Sequence, residues 1–154
     1  LFDRAIDSHC PAIDKSLINV TVEIVPADLI VQVDPELVHQ ALLNTIRNAV
    51  EAMSTMPGTD RSLILKARED DGYVVFAVQD TGSGIRSEDI DRIFNPFFTT
   101  RNTGTGLGLA IVHRIVDAHG GAISVHNDCG AVFELRWPII TVNQIEKSKC
   151  SIQE

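Results

Sequence analysis

The chain has 154 residues, which suits one domain built around one core. Its hydrophobic fraction of 44% and charged fraction of 22% are ordinary for a globular protein, and no apolar run approaches the ~20 residues of a membrane span, so direct membrane contact by this domain is not expected. A net charge of -8 argues against a nucleic-acid partner; a polyanion would have to be held by backbone N–H groups, a metal ion and a few local cations.

In chain order, residues 1–17 make a loosely amphipathic start with a turn near Cys10-Pro11. INVTVEIV (18–25) alternates and is rich in β-branched residues, so a strand is expected; LIVQVD (29–34) is expected as a second, after a turn at 26–28. Asp34-Pro35 offers an N-cap and a first-turn proline, and the helix they open should run to about Met53, short of Pro57-Gly58. Strands over 62–70 and 73–80 flank Asp71-Gly72, a hairpin signal. Residues 80–86 form a glycine-bearing loop, and SEDIDRIF (87–94) is expected as a short helix with Ser87 as cap. A long loop then leads into a helix over 107–119, closed by Gly120-Gly121. AISVHN (122–127) and AVFELRWPI (131–139) make a final hairpin, and a polar tail follows from Thr141. Antiparallel hairpins mixed with helices predict helices on one face of a mixed sheet.

Three segments carry chemistry. In PELVHQALLNTIRNAVEAM, Val38, Leu42, Ile46, Ala49 and Met53 share one stripe, the core face. Asn44, Asn48 and Glu51 share a neighbouring face. Asparagine is a poor helix former, so two of them one turn apart read either as a solvated flank or as amide oxygens for a hard cation such as Mg²⁺. In DTGSGI (80–85), Asp80 ends an apolar strand beside Gly82, Gly84 and Ile85. That is either a tight turn or a pocket in which a carboxylate accepts from an exocyclic amine and the glycines let backbone approach a flat ring. FTTRNTGTGLGL (98–109) matches neither GxxxxGK[ST] nor GxGxxG. It is a glycine loop emptying into a helix N-terminus, where orphan N–H groups and the helix dipole favour phosphate and Arg101 adds a local counter-charge. A surface loop is the plainer reading, and a lid that orders on its ligand the sharper one.

Order and spacing of these segments resemble the catalytic ATP-binding domain of sensor histidine kinases, within the GHKL superfamily that includes type II topoisomerases and mismatch-repair ATPases. LLNTIRNAVEAM resembles the family's N box, DTGSGI its first glycine box, IFNPFFTT its F box, and GTGLGLAIVHRIVDAHGG its second glycine box. PFFTT is most similar to the nitrogen-regulation and oxygen-sensing type. The resemblance covers roughly residues 18–139 and implies a two-layer α/β (α+β) sandwich of the Bergerat type that binds ATP and Mg²⁺. It implies that Asn48 ligates Mg²⁺, that Asn44 faces phosphates and metal, and that Asp80 takes the adenine amine with Gly82, Gly84 and Ile85 beside the ring. Phe97 and Phe98 would anchor the lid by packing. Thr99, Thr100, Arg101, Gly104, Thr105, Gly106, Leu107, Gly108 and Leu109 would make the lid and the phosphate side, with Arg101 the cation acting on phosphate.

The chain also departs from the family pattern. Glu51 stands where many members carry a basic residue, which leaves it a water-mediated role on the metal. Asn44 is an amide where hydrolysing relatives have a glutamate, and an amide cannot act as general base, which favours phosphoryl transfer over fast hydrolysis. None of the five histidines (His9, His39, His113, His119 and His126) sits in an acceptor motif. The expected activity is therefore the donor half of a protein-histidine kinase. Its partners would be a histidine-bearing dimerisation domain of the same protein, in a homodimer, and a response-regulator receiver domain. Residues 1–17 are expected as the remnant of the linker from that domain, 18–140 as the catalytic domain and 141–154 as the tail. A GHKL ATPase, an anti-sigma-type serine kinase and a non-catalytic nucleotide sensor are the alternatives. Leu1 in place of Met suggests a piece of a longer protein. Cys10, Cys129 and Cys150 fit neither a zinc spacing nor a disulfide framework, so a reducing, cytoplasmic setting is expected.

Overall fold

The computed structural model describes residues 1–58, 60–100 and 104–139. Eight elements follow one another: α1 (Phe2–Lys15), β1 (Ile18–Val25), α2 (Pro35–Ser54), β2 (Arg61–Asp70), β3 (Tyr73–Asp80), α3 (Gly108–Ala118), β4 (Ala122–Asn127) and β5 (Ala131–Pro138). The strands form one sheet in the order β1-β2-β3-β5-β4. β1 runs parallel to β2, and the other neighbours are antiparallel. The three helices cover one face, giving the two-layer α/β sandwich.

Local chemistry explains most boundaries. Asp34 caps α2, its carboxylate accepting from the N–H groups of Glu36 (2.9 Å) and Leu37 (3.1 Å), and Pro35 loses nothing in the first turn, where no intrahelical acceptor exists. Val38, Leu42, Ile46, Ala49 and Met53 are all buried, as their spacing predicts. The β2–β3 hairpin turns on Asp71 (φ 49°) and Gly72 (φ 79°), the pair of positive angles that a two-residue turn of matching twist requires. The helix-facing sides of the central strands supply Leu63, Leu65, Val74, Phe76, Val78, Phe133, Leu135 and Trp137 to the core. Phe76 meets the rings of Phe2 and Trp137, each at 5.2 Å between centroids.

Three expectations are corrected. No turn breaks the chain at Cys10-Pro11: α1 runs through Pro11, which lies on its exposed side, because Phe2, Ala5 and Ile13 form a buried stripe that outweighs the lost hydrogen bond. Residues 29–34 are not a strand. Leu29, Val31 and Val33 alternate inward and pack on the core, but the segment joins no ladder. Residues 87–94 are consecutive turns rather than a helix capped by Ser87. Asp89 organises them instead: its N–H donates to the Arg86 carbonyl (2.9 Å), and its own carbonyl accepts from Arg92 (2.8 Å) and Ile93 (3.0 Å). The tail expected from Thr141 lies outside the described residues. Among the described residues no helix is long and apolar enough to cross a membrane.

Candidate functional site

A cleft of about 860 Å³, ample for a small-molecule ligand, opens between the C-terminal half of α2, the loop after β3, residues 98–100, the start of α3 and β5. Asp80 forms part of its wall and is only 2% exposed. β3 ends there, paired through Asp80 with Leu63 of β2. One carboxylate oxygen, Oδ1, accepts from the Gly82 N–H (2.8 Å) and the Ala131 N–H (3.2 Å). Two backbone donors on one oxygen fix the rotamer of a buried anion and offset part of its desolvation.

The loop behind Asp80 is clamped from both sides. Thr81 Oγ1 accepts from the Ser62 N–H at 2.9 Å. The Asn127 amide holds Ile85 reciprocally, its Oδ1 accepting from the Ile85 N–H (2.9 Å) and its Nδ2 donating to the Ile85 carbonyl (2.7 Å). Gly84 and Ile85 line the cleft and Gly82 does not. Both glycines are also hemmed in by protein atoms. A Cβ on Gly82 would meet Asp80 Oδ1 at 2.9 Å and Ala52 at 3.0 Å, and one on Gly84 would meet Asn127 Oδ1 at 2.8 Å. Protein atoms already fill the space the missing side chains leave.

On α2, Asn48 and Glu51 line the cleft. Asn44 is not brought to its wall. It is buried beneath the start of α3, Nδ2 donating to the Gln40 carbonyl (3.1 Å) and Oδ1 accepting from Arg47 Nη2 (2.7 Å). A Cβ on Gly108 would stand 3.3 Å from both Asn44 Oδ1 and Arg47 Nη2, so α2 and α3 meet closely here.

Thr99, Thr100, Gly104, Thr105, Gly106, Gly108 and Leu109 line the opposite side. Arg101 lies outside the described residues. Leu107 sits at the N-cap of α3 and not on the wall; its N–H donates to Thr105 Oγ1 at 3.4 Å. α3 has no side-chain cap and no acidic residue in its first turn, so its positive end is uncompensated by its own side chains. Phe97 does not anchor the lid by packing: the residue is 75% exposed. Its backbone does the work, at φ 66°, donating its N–H to the Gly106 carbonyl at 2.9 Å. Gly106 (φ 68°) must be glycine for this, since a Cβ would fall 2.4 Å from the Phe97 carbonyl carbon. Phe98 does pack, half-buried on the core beneath the Arg92 guanidinium at 4.7 Å.

Several lining residues escaped the sequence reading. Arg47 lies three residues after Asn44, on the same flank, and that spacing was its available signal. Asp89 is buried under Arg86, which bonds it through Nε and Nη2, both at 2.7 Å. Ala131 and Phe133 reach the wall from β5, and Asn127 braces the loop from β4; these contacts are non-local, and no local pattern announces them.

Among the described residues no group of three or more His, Cys, Asp or Glu could hold a metal alone. Asn48, with Glu51 one turn on, suits a hard cation that completes its shell with phosphate oxygens and water. A fixed carboxylate, a helix amide and an uncapped helix start around one cleft, on a two-layer sandwich, define a nucleotide-binding domain. Residues 33–141 match the histidine kinase-, DNA gyrase B- and HSP90-like ATPase family, and the chain belongs to it.

The sensor histidine kinase ZraS of Escherichia coli K12 is 41% identical over 111 residues, 71% of this chain and 23% of ZraS. The nitrogen regulation protein NtrY of Azorhizobium caulinodans is 38% identical over 107 residues, 67% of this chain and 14% of NtrY. The chain thus spans about a quarter or less of the length of these curated relatives. The catalytic domain of histidine kinase ThkA superposes with a TM-score of 0.79 at 33% identity, covering 88% of both chains. Full-length ShkA in complex with AMPPNP superposes at 0.77 with 31% identity, covering 91% of this chain and 29% of ShkA. ThkA in complex with the response regulator TrrA superposes at 0.76 with 30% identity, covering 90% of this chain and 39% of that one. The chain is a histidine-kinase-type ATPase catalytic domain, and the family and fold expected from its four boxes both hold.

Proposed function

We propose that the cleft binds ATP with Mg²⁺ and donates the γ-phosphoryl group to a histidine on a separate dimerisation domain of the same homodimeric protein, for onward transfer to a response-regulator receiver domain. The observation that carries this reading is Asp80: a carboxylate, 2% exposed and fixed by two backbone donors, on one wall with Asn48 and the uncapped start of α3. Asp80 accepts from the adenine amine, and Ile85 flanks the ring. The triphosphate runs towards the first turn of α3, where free N–H groups and the dipole favour it. Thr99, Thr100, Gly104, Thr105 and Gly106 close over it, with Arg101 as counter-charge.

Phosphoryl transfer asks for positioning and charge neutralisation more than for covalent chemistry by the protein. An imidazole nitrogen of the acceptor forms the N–P bond as the γ-phosphorus bond to the ADP oxygen breaks, and the proton lost from the imidazole passes to water. Asn48 would hold a magnesium ion, with Glu51 acting through water, and the bound ion would neutralise charge on phosphate oxygens. Asn44 offers no base for activating water, which fits a donor domain better than a hydrolase. The AMPPNP carried by ShkA and the response regulator bound to ThkA support the nucleotide and the downstream partner. Residues 1–17 would join this unit to the acceptor domain, in a cytoplasmic setting.

Labelled ATP is the test, incubated with this chain and a separately purified histidine-bearing dimerisation domain. Acid-labile label on the acceptor is the expected result. Acid-stable label would indicate a serine kinase, free phosphate a hydrolase, and no transfer with equal ATP and ADP affinity a sensor.

A further inference from the structure

The cleft wall carries three acids among the described residues, Glu51, Asp80 and Asp89, and two cations, Arg47 and Arg86. A polyphosphate entering this wall needs a positive partner with hydrogen bonds to spare. Arg86 is spoken for, with Nε and Nη2 on Asp89 Oδ2 (both 2.7 Å) and Nη1 on Glu88 Oε1 (2.9 Å). It also lies next to Ile85, at the Asp80 end. Arg47 differs in both respects. Among the described residues its side chain has one hydrogen-bond partner, and that partner is neutral: Nη2 donates to Asn44 Oδ1 at 2.7 Å. The same Nη2 lies 3.3 Å from where a Cβ on Gly108 would stand, which puts the guanidinium against the first residue of α3.

We propose that Arg47 is a phosphate-binding residue of this cleft, held on the Asn44 amide until a nucleotide arrives. The proposal rests on the reading that the cleft binds ATP. A guanidinium has five N–H donors, and a single amide oxygen uses one. Exchanging or supplementing that oxygen with phosphate oxygens gives charge-assisted, forked bonds, stronger than the neutral one. The backbone need not move, because Arg47 already faces the cleft from a helix fixed in the core. Asn44 thereby acquires a role that needs no contact with the ligand: it is a positioning residue that keeps the guanidinium at the start of α3. Arg47 also supplies the positive charge that Glu51, one turn further on the same side of α2, does not.

A purely structural Arg47, tying α2 to α3 through Asn44, is the competing account, and substitutions separate the two. Glutamine keeps an N–H donor for Asn44 without charge, and lysine keeps charge without the fork. Wild type, R47A, R47Q and R47K are titrated with ATP, ADP and adenosine in the presence of Mg²⁺, followed by amide NMR, with melting temperatures as a control on folding. Expected is a loss of ATP affinity of roughly ten- to a hundredfold in both R47A and R47Q, a smaller loss in R47K, and adenosine affinity unchanged within about twofold. The expected loss also shrinks at high salt. Wild-type ATP affinity in R47Q, or an equal loss for adenosine and ATP, overturns the proposal. Wild type that binds adenosine and ATP equally overturns the phosphate site as a whole, and wild type that binds neither overturns the nucleotide reading beneath it.

Discussion

Asp80 allows stability and specificity to be pulled apart with two substitutions. Oδ1 accepts from the Gly82 and Ala131 N–H groups at 2.8 and 3.2 Å. D80N keeps a carbonyl oxygen for those donors and puts an NH₂ in place of Oδ2. The fold should survive, but the group offered to a base changes from acceptor to donor and loses its charge. A charge-assisted hydrogen bond is worth about 1.5–3 kcal/mol, so ATP affinity should fall roughly ten- to a hundredfold or more. Inosine triphosphate, which carries a carbonyl where adenine carries its amine, should lose much less or gain. D80A instead strands two buried N–H groups at about 1–3 kcal/mol each, a penalty that should lower the melting temperature by roughly 10 °C. Calorimetric titration with both nucleotides and thermal melts of both variants are the assays. D80N binding ATP like wild type would refute the adenine assignment, and D80A melting like wild type would refute the account of what holds the loop.

Gly106→Ala forces a Cβ to 2.4 Å from the Phe97 carbonyl carbon at a left-handed φ. It should open the Phe97–Gly106 clasp and weaken ATP binding about tenfold, with a melting shift of only a few degrees; unchanged affinity would show that the clasp does not shape the lid. Asn127→Ala removes both bonds to Ile85 and should cost about 1–2 kcal/mol in denaturant unfolding, while Asn127→Asp restores only the acceptor half. Burial, then the nearby Arg4 charge, holds His39 below its ordinary 6.5, against the opposing pull of Glu36. The unfolded chain therefore takes up the proton first, and stability should fall as pH drops from 6.5 towards the folded value and level off below it. The part of the acid loss due to His39 should vanish in His39→Leu, measured as melting temperature against pH.

Where local chemistry and tertiary packing agree, the sequence was legible. Asp34-Pro35 opens α2, Asp71-Gly72 turns a hairpin, and the buried stripe from Val38 to Met53 follows helical spacing, each for a reason contained within a few residues. Where packing overrides local preference, it was not. Pro11 reads as a break, yet a stripe of buried residues carries α1 past it. Leu29, Val31 and Val33 show the alternation of a strand, but alternation reports only which side is buried and says nothing about whether a neighbouring backbone is there to pair. SEDIDRIF has helical composition, yet the salt link from Arg86 to the buried Asp89 ties it into turns.

The site divides along the same line. Asp80, Asn48 and the glycines are conspicuous because they are odd choices for their elements: a buried acid at a strand end, an amide inside a helix, three glycines before one. Their supports are ordinary residues in ordinary places. Ala131 contributes only a backbone N–H, Asn127 a side-chain amide from another hairpin, and Asn44 a carbonyl turned towards Arg47 rather than into the cleft. Asn44 is the instructive case. Its oddity as a helical amide was visible, but the helix pattern left a solvated flank and a cation site both open, and the family resemblance pointed it to the phosphates, because periodicity gives the direction of a side chain and not what has arrived to meet it. The start of α3 had arrived, close enough that Gly108 leaves 3.3 Å for a Cβ, and the amide oxygen was committed to Arg47 instead. A polar residue singled out by its helix position is thus as readily a brace for the neighbouring charge as a ligand itself, and only the contact across elements decides which.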